Sequence, residues 1–331
     1  MIFLQDLEGK KNLLGFSGGP DSTALFFCLL EEGIDFDMGI VDYGLREQSI
    51  KEVAYAKELA ACYQKRLFIH QALGIVRDFE HQARVQRYGF FERIIKEEGY
   101  ENLLLAHHLN DRLEWFIMQL CKGSGLNNLL GFRRREEREG YVIVRPLLEI
   151  SKDQILEMVR KRVYFEDSSN ENTRIWRNKI RKNYANSLIQ EHAKGITKTL
   201  GYLQEEQERL YLRQISQVSE IFYFKKSNDL SNLDCIDKIL KKMGYVLSAP
   251  QRQEILKQNY DGIIAGKYLL SSNEGWIFLT SGNVSKSMDR SFREWARSMR
   301  IPKRLRPKIA WLLEQGKLKK EQMNFLQKRI F

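Results

Sequence analysis

Four groups of residues have the types and spacing that chemistry needs. The first is the run Ser17, Gly18, Gly19, Pro20, Asp21, Ser22, set inside the apolar stretch LLGFSGGPDSTALFFCLL at 13–30. A glycine-rich turn between a strand and a helix is suited to phosphate. The first amides of the helix lack intrahelical partners, and the helix dipole adds roughly half a positive charge there. Gly18 and Gly19 have no Cβ, so an anion can approach the backbone. Pro20 suits a first helical turn, where its missing N–H costs little. Ser17 and Ser22 offer hydroxyl donors, and Asp21 can hold a metal that itself holds phosphate. The run matches neither GxxxxGKS/T nor GxGxxG. A tight turn in which Asp21 and Ser22 only cap the helix would need less than this six-residue string.

The other groups are pairs. Asp111 and Glu114 stand three apart at a helix start, where they can share a face and where acids are favoured by the dipole alone. Arg84 and Arg87 are also three apart on one helix, a spacing that fits a phosphate contact and a solvated face about equally. His107 and His108 are adjacent at a strand end and point opposite ways. With no HExxH and no cysteine partner, zinc is not expected, and no metal ligands are assigned. One histidine is expected to line the site and the other to pack.

Elements must bring these groups together. KNLLGF, FDMGIVDY, RLFIHQ and NLLLAHH read as strands. PDSTALFFCLLEEG, REQSIKEVAYAKELAACY, FEHQARVQRYGFFERIIKEEG and NDRLEWFIMQLCKG read as helices between and after them. That alternation predicts an α/β fold, a doubly wound parallel sheet whose short apolar strands are covered on both faces. SKDQILEMVRKR begins with a serine cap and continues as helix. Residues 177–225 read as a mainly helical connector. Residues 233–280 read as a smaller α+β unit, with helices in CIDKILKKMGY and PQRQEILKQNY and strands in AGKYLL and GWIFLT. In KRLRPKIAWLLEQG, Pro307 marks a helix start or a kink. The predicted domains are 1–215 and 216–331.

Composition narrows the partners. The 331 residues carry a net charge of +11, and 43 % are hydrophobic. Residues 291–331 hold twelve Lys/Arg against three Asp/Glu, a net +9. The segment RIWRNKIRK at 174–182 holds five basic residues and no acid. Charge concentrated in this way favours a polyanion, most simply nucleic acid. No stretch approaches the ~20 apolar residues needed to span a bilayer. MIFLQDLEGKK does not read as a secretory signal. Cys28, Cys62, Cys121 and Cys235 are far apart with no CxxC, so neither a disulfide framework nor a cysteine zinc site is expected. The expected compartment is the cytosol.

The string SGGPDS matches the SGGxDS loop of the PP-loop ATP pyrophosphatases. More closely, the chain resembles the tRNA(Ile)-lysidine synthetase family. VDYGLR at 41–46 is similar to that family's VDHGLR, and QARVQRY at 82–88 to its ARxxRY. AHHLNDRLEWFIMQLCKGSGL at 106–126 resembles AHHxxDQxETxLxxLxRGSGL. RPLLEISKDQI at 145–155, EDSSN at 166–170 and RNKIR at 177–181 also match. The matches run in order through about 180 residues; residues 235–280 resemble the family's small C-terminal domain more weakly. Tyr43, Gln82, Arg112, Leu113, Trp115 and Lys122 depart from the family pattern.

The resemblance implies a ligase that spends ATP, with Mg²⁺, to activate C2 of the wobble cytidine in the CAU anticodon of tRNA(Ile). Pyrophosphate leaves, the ε-amine of free lysine attacks C2, and AMP leaves; codon reading changes from AUG to AUA. Residues 17–22 would cradle pyrophosphate. Arg87, with Arg84 as the alternative, would neutralise it as it departs. At pH 7 an amine of pKa ~10.4 is neutral in only about four molecules per ten thousand, so Asp111 and Glu114 would jointly bind lysine and take its proton. Arg174, Arg177, Lys179 and Arg181, with Lys182, would meet RNA phosphates. Trp176 would stack on a base or pack in the core. Asp167 and Asn170 would cap or brace their loop. The basic C-terminal part would hold the tRNA body.

Three rival readings remain. A tRNA thiolase of the same superfamily would need paired or persulfide-carrying cysteines. A glutamine-using synthetase for a small metabolite would leave the basic tail unexplained. A non-catalytic RNA-binding protein would not need an intact SGGPDS with Asp111 and Glu114.

Overall fold

A computed structural model describes residues 2–44, 47–72, 79–166, 174–211, 214–282 and 284–327. The chain divides into two units, Met1–Gln204 and Glu205–Phe331. The first unit runs β1 (Asn12–Phe16), α1 (Pro20–Glu31), β2 (Asp37–Asp42), α2 (Glu47–Cys62), β3 (Leu67–Gln71), α3 (Phe79–Glu98), β4 (Asn102–Leu104) and α4 (Leu109–Cys121). It continues through α5 (Leu126–Leu129), β5 (Arg135–Arg138), β6 (Tyr141–Val144), α6 (Lys152–Met158), α7 (Trp176–Ile180), a π-helical turn (Arg181–Ala185) and α8 (Asn186–Leu210), whose residues from Glu205 onward belong to the second unit.

The six strands lie in the order β3-β2-β1-β4-β6-β5. All neighbours are parallel except β5 and β6, which form an antiparallel hairpin. Side chains on successive strand residues point to opposite faces, and here both faces are buried. Leu14, Phe16, Met38 and Ile40 pack with Leu25, Phe26, Ala56 and Leu59 of α1 and α2. Leu13, Leu103 and Ile143 pack on the other face with Phe90, Phe91 and Ile94 of α3. Gly15 and Gly39 stand side by side in β1 and β2. A Cβ on either would come within 2.9 Å of a neighbouring side chain, Leu105 or Phe91. Their bare backbones therefore make room for Phe91, which packs α3 against the sheet.

Two local differences from the sequence reading matter. NLLLAHH pairs as a strand only to Leu104, and residues 105–108 cross over to α4. This carries both histidines past the strand end. The β5–β6 hairpin was not expected, because its edge strand reads REER; charge on an edge strand blocks pairing with another chain and hides the strand pattern.

The second unit contains β7 (Ile215–Val218), β8 (Ile221–Lys225), α9 (Asp229–Lys242), α10 (Ala249–Lys257), β9 (Gly262–Ile264), β10 (Tyr268–Ser272), β11 (Trp276–Ser281), α11 (Arg290–Ser298) and α12 (Arg306–Glu314). Its antiparallel sheet has the order β7-β8-β11-β10-β9. Leu270, Ile277 and Leu279 pack against α9 and α10, while Leu269 and Phe278 face α11 and α12. Helix in the expected connector stops at Leu210, and residues 215–225 form a hairpin instead. The aromatic and β-branched run IFYF favours a pleated, half-buried surface. Pro307 lies in the first turn of α12 and starts that helix.

Candidate active site

The turn after β1 opens α1. Gly18 has φ +73°, and a Cβ there would sit 3.1 Å from the Glu52 side chain; a side chain is excluded by both backbone and space. Gly19 is the N-cap and supplies no capping side chain. Ser22 Oγ donates to the Gly19 carbonyl at 3.1 Å and accepts from the Ser17 amide at 3.2 Å. Ser17 Oγ lies 3.1 Å from Ser22 Oγ. The two hydroxyls brace the turn. The amides of Gly18, Gly19, Asp21 and Ser22 make no hydrogen bond among the described residues. Unpaired amides, no side chain at Gly18 and a helix N-terminus fit a diphosphate. Asp21 Oδ1 accepts from Lys152 Nζ at 2.6 Å.

The acid pair stands beyond the neighbouring strand. β1 and β4 are adjacent, and β2 and β4 flank β1 on opposite sides. In open α/β sheets that reversal opens a crevice at the strands' carboxyl ends. Asp111 Oδ2 accepts from the His108 amide at 3.1 Å, which fixes the first turn of α4. Asp111 Oδ1 accepts from Arg177 Nη2 at 2.5 Å. Glu114 is fully buried. Its Oε2 accepts from Arg177 Nε at 2.8 Å, and its Oε1 from Arg181 Nε at 2.6 Å. Burial would raise the Asp111 pKa, but His108 and Arg177 overcome it and hold the carboxyl well below its usual range. Asp111 is therefore ionised at neutral pH.

The two histidines have different surroundings. His108 Nε2 lies 3.7 Å from Asp21 Oδ1 and 3.5 Å from Asp111 Oδ2, between the loop and the acid pair. His107 stacks on Phe132 at 4.6 Å, and its Nδ1 accepts from Arg145 Nε at 3.3 Å. Burial first, then Arg145, pushes the His107 pKa down to about 3, so it is neutral. Among the described residues no group of three or more His, Cys, Asp and Glu stands close enough together to hold a metal.

Arg87 is half-buried and Arg84 exposed. Arg87 has no carboxylate within ion-pair distance among the described residues; it lies 5.9 Å from the Tyr88 ring, and its charge acts on Tyr43 and His107. Arg84 stacks over Tyr88 at 5.0 Å. Tyr43 donates to the Ala83 carbonyl at 3.3 Å, tying β2 to α3.

Other departures have packing explanations. Arg112 is buried and donates to the Leu200 carbonyl and Gln204 Oε1, both at 3.1 Å, anchoring α8. Trp115 Nε1 donates to the Asn128 carbonyl at 2.8 Å. Its ring fills the space beside Gly131 that a Cβ would need. Leu113 joins the cluster with Ala185 and Ile189. Lys122 and Gln82 are exposed.

The basic segment does two things at once. Arg174, Lys179, Lys182 and Trp176 are exposed. Arg177 and Arg181 reach inward to the acids. The sequence reading missed this pairing, because a run of basic residues carries no sign of which members face carboxylates 63 to 67 positions away. Asp167 and Asn170 lie outside the described residues. Cys28 and Cys235 are buried and Cys62 and Cys121 exposed, and no disulfide joins any of them. Burial, reinforced by Glu31 and Glu32, pushes the Cys28 thiol up to about 11, far from a reactive thiolate. Among the described residues no helix is long and apolar enough to cross a membrane.

Comparison with known proteins follows the same lines. The PP-loop domain family matches residues 2–188. A tRNA(Ile)-lysidine synthase of Helicobacter pylori is 48 % identical over 306 residues, covering 92 % of this chain and 90 % of its own. One of Wolinella succinogenes is 44 % identical over 305 residues, covering 91 % and 93 %. Among solved structures, the U34-tRNA thiolase NcsA of Methanococcus maripaludis superposes with a TM-score of 0.52 at 19 % identity, over 62 % of this chain and 76 % of that one; this likeness is one of fold alone. The chain belongs to the tRNA(Ile)-lysidine synthase family of PP-loop proteins.

Proposed function

We propose that this protein joins free lysine to C2 of the wobble cytidine in the CAU anticodon of tRNA(Ile), at the expense of ATP. The observation that supports the reading is a glycine-rich turn with unpaired amides after one strand and a buried acid pair after its neighbour. His108 stands between them, 3.7 Å from Asp21 and 3.5 Å from Asp111. A cytidine presented there would meet the activating and the attacking groups in one crevice. The family membership supports the same reaction.

Each residue has a role in this scheme. The amides of Gly18, Gly19, Asp21 and Ser22 hold the pyrophosphate, and Asp21 would hold Mg²⁺, which would offset the phosphates' charge. ATP bound there supplies the adenylyl group that turns the C2 oxygen into a leaving group. Arg87 offsets charge as pyrophosphate departs. Asp111 and Glu114 jointly bind the ε-ammonium of lysine and take its proton; the neutral amine then attacks C2 and AMP leaves with the C2 oxygen. Arg177 and Arg181 orient both carboxylates. Exposed Arg174, Lys179 and Lys182 meet RNA phosphates, and the basic second unit holds the tRNA body. The domains in this scheme are a catalytic part, 1–215, and a tRNA-binding part, 216–331.

The test is transfer of labelled lysine to unmodified tRNA(Ile) bearing CAU, with ATP and Mg²⁺, alongside tRNA-dependent pyrophosphate release. Both are expected. Sulfur transfer would establish a thiolase instead, a reading that the buried Cys28 and the scattered cysteines disfavour. Binding without transfer would leave only an RNA-binding protein.

A further inference from the structure

Two large aromatic side chains stand on the surface of the helical run that carries Arg177 and Arg181. Trp176 is 44 % exposed and Tyr184 is 49 % exposed. Ile180, Ala185 and Ile189 of the same run are buried, so the backbone beneath is fixed. The π-helical turn at Arg181–Ala185 accounts for Tyr184. An uninterrupted α-helix advances about 100° per residue, which would set Tyr184 about 80° from Trp176, toward the side where Arg177 turns inward. A π turn advances less per residue and so sets Tyr184 closer in angle to Trp176 than an α-helix would, and both side chains are exposed. π turns within α-helices occur often at functional sites.

The surroundings select the occupant. Lys179 Nζ lies 5.9 Å from the Trp176 ring, and Lys182 is exposed nearby. No acid occurs in residues 174–182. Cations interleaved with aromatic faces suit single-stranded nucleic acid, whose phosphates need charge and whose unpaired bases need a flat partner. A protein partner would use the apolar faces without needing this one-signed charge. The platform also adjoins the reaction centre. Tyr184 lies three residues past Arg181 in the same π turn, and Arg181 holds Glu114.

We propose that Tyr184, with Trp176, is a stacking platform for the unpaired bases beside the reacting cytidine. This rests on the function proposed above and names a contact that function does not require. A base held flat on Tyr184 would fix where its neighbour, the cytidine, enters the crevice.

The test uses the whole protein and an anticodon stem–loop RNA with 2-aminopurine replacing the adenine of CAU. The wild type is expected to quench the fluorescence. Tyr184→Phe should keep the quench and the affinity. Tyr184→Ala should lose most of the quench and bind RNA roughly 5- to 100-fold more weakly, with ATP affinity unchanged. Tyr184→Leu, which keeps apolar bulk without a π face, should behave like Tyr184→Ala; it serves if the alanine protein does not fold. Trp176→Ala should reduce the quench as well. No quench by the wild type, or full quench and affinity in Tyr184→Ala or Tyr184→Leu, would overturn the platform while lysine transfer by the wild type stands. Quench without any lysine transfer would overturn the proposed reaction and leave the platform in place.

Discussion

Arg181 holds Glu114 with two nitrogens, Nε at 2.6 Å from Oε1 and Nη2 at 3.1 Å from Oε2. The carboxylate has no exposure to water, so its charge depends on Arg181 and Arg177. Removing one partner of a buried pair leaves an uncompensated charge. Arg177 remains and Arg181 is partly exposed, so Arg181→Ala should cost about 1–3 kcal/mol. In the double variant with Glu114→Gln the two losses should add to less than their sum, by at least about 0.5 kcal/mol. Urea unfolding of the four proteins measures this; strict additivity would mean that the pair is not coupled.

Gly18 combines a positive φ with a side-chain wall at Glu52. Gly18→Ala should destabilise the protein by about 1–2 kcal/mol and lower tRNA-dependent pyrophosphate release far more than it lowers RNA affinity. Release measured by a coupled phosphate assay, with filter binding of tRNA in parallel, separates the two. Unchanged release would remove the turn from the reaction.

His107 predicts how stability changes with pH. An unfolded histidine titrates near 6.5, whereas packing holds the folded one near 3. Between those values the unfolded chain binds the extra proton, so stability falls as pH drops, by up to about 1.4 kcal/mol per unit. Asp111, whose folded pKa is depressed, adds stability that is present above pH ~4 and lost below it. His107→Gln should flatten the decline between pH 6 and 4. Urea midpoints across that range give the answer, and an unchanged slope would show that His107 does not drive it.

Arg87 has no ion-pair partner among the described residues, so little stability should rest on its charge. Arg87→Ala should shift the thermal midpoint by no more than a few degrees, since surface-type losses are about 0.5 kcal/mol. Pyrophosphate release should fall about 10²-fold or more, as expected when a stabiliser of developing charge is removed. The same loss in Arg84→Ala, with Arg87→Ala active, would exchange the two arginines.

Much of this architecture was legible in the chain. Apolar runs at 12–16, 37–42 and 67–71, separated by helix-length stretches, specify a parallel sheet because both faces of each strand must be covered. SGGPDS was legible because its position between strand and helix is local. The hairpins were not: REER carries edge charges instead of an alternating pattern, and IFYF lay in a polar stretch that read as helix. The inward turn of Arg177 and Arg181 was hidden for a different reason. It depends on contacts with α4 more than sixty residues away, and no local pattern records which basic residues of RIWRNKIRK meet acids and which meet solvent.

In the proposed reaction one crevice holds two separable halves, a turn that takes pyrophosphate and an acid pair that takes lysine. Rapid-quench kinetics of Glu114→Gln with ATP, Mg²⁺, tRNA(Ile) and labelled lysine test it most directly. Pyrophosphate should be released at near the wild-type rate while lysine incorporation falls about 10²- to 10⁴-fold, the range for loss of a proton acceptor. Normal incorporation, or an equal fall in both signals, would contradict it.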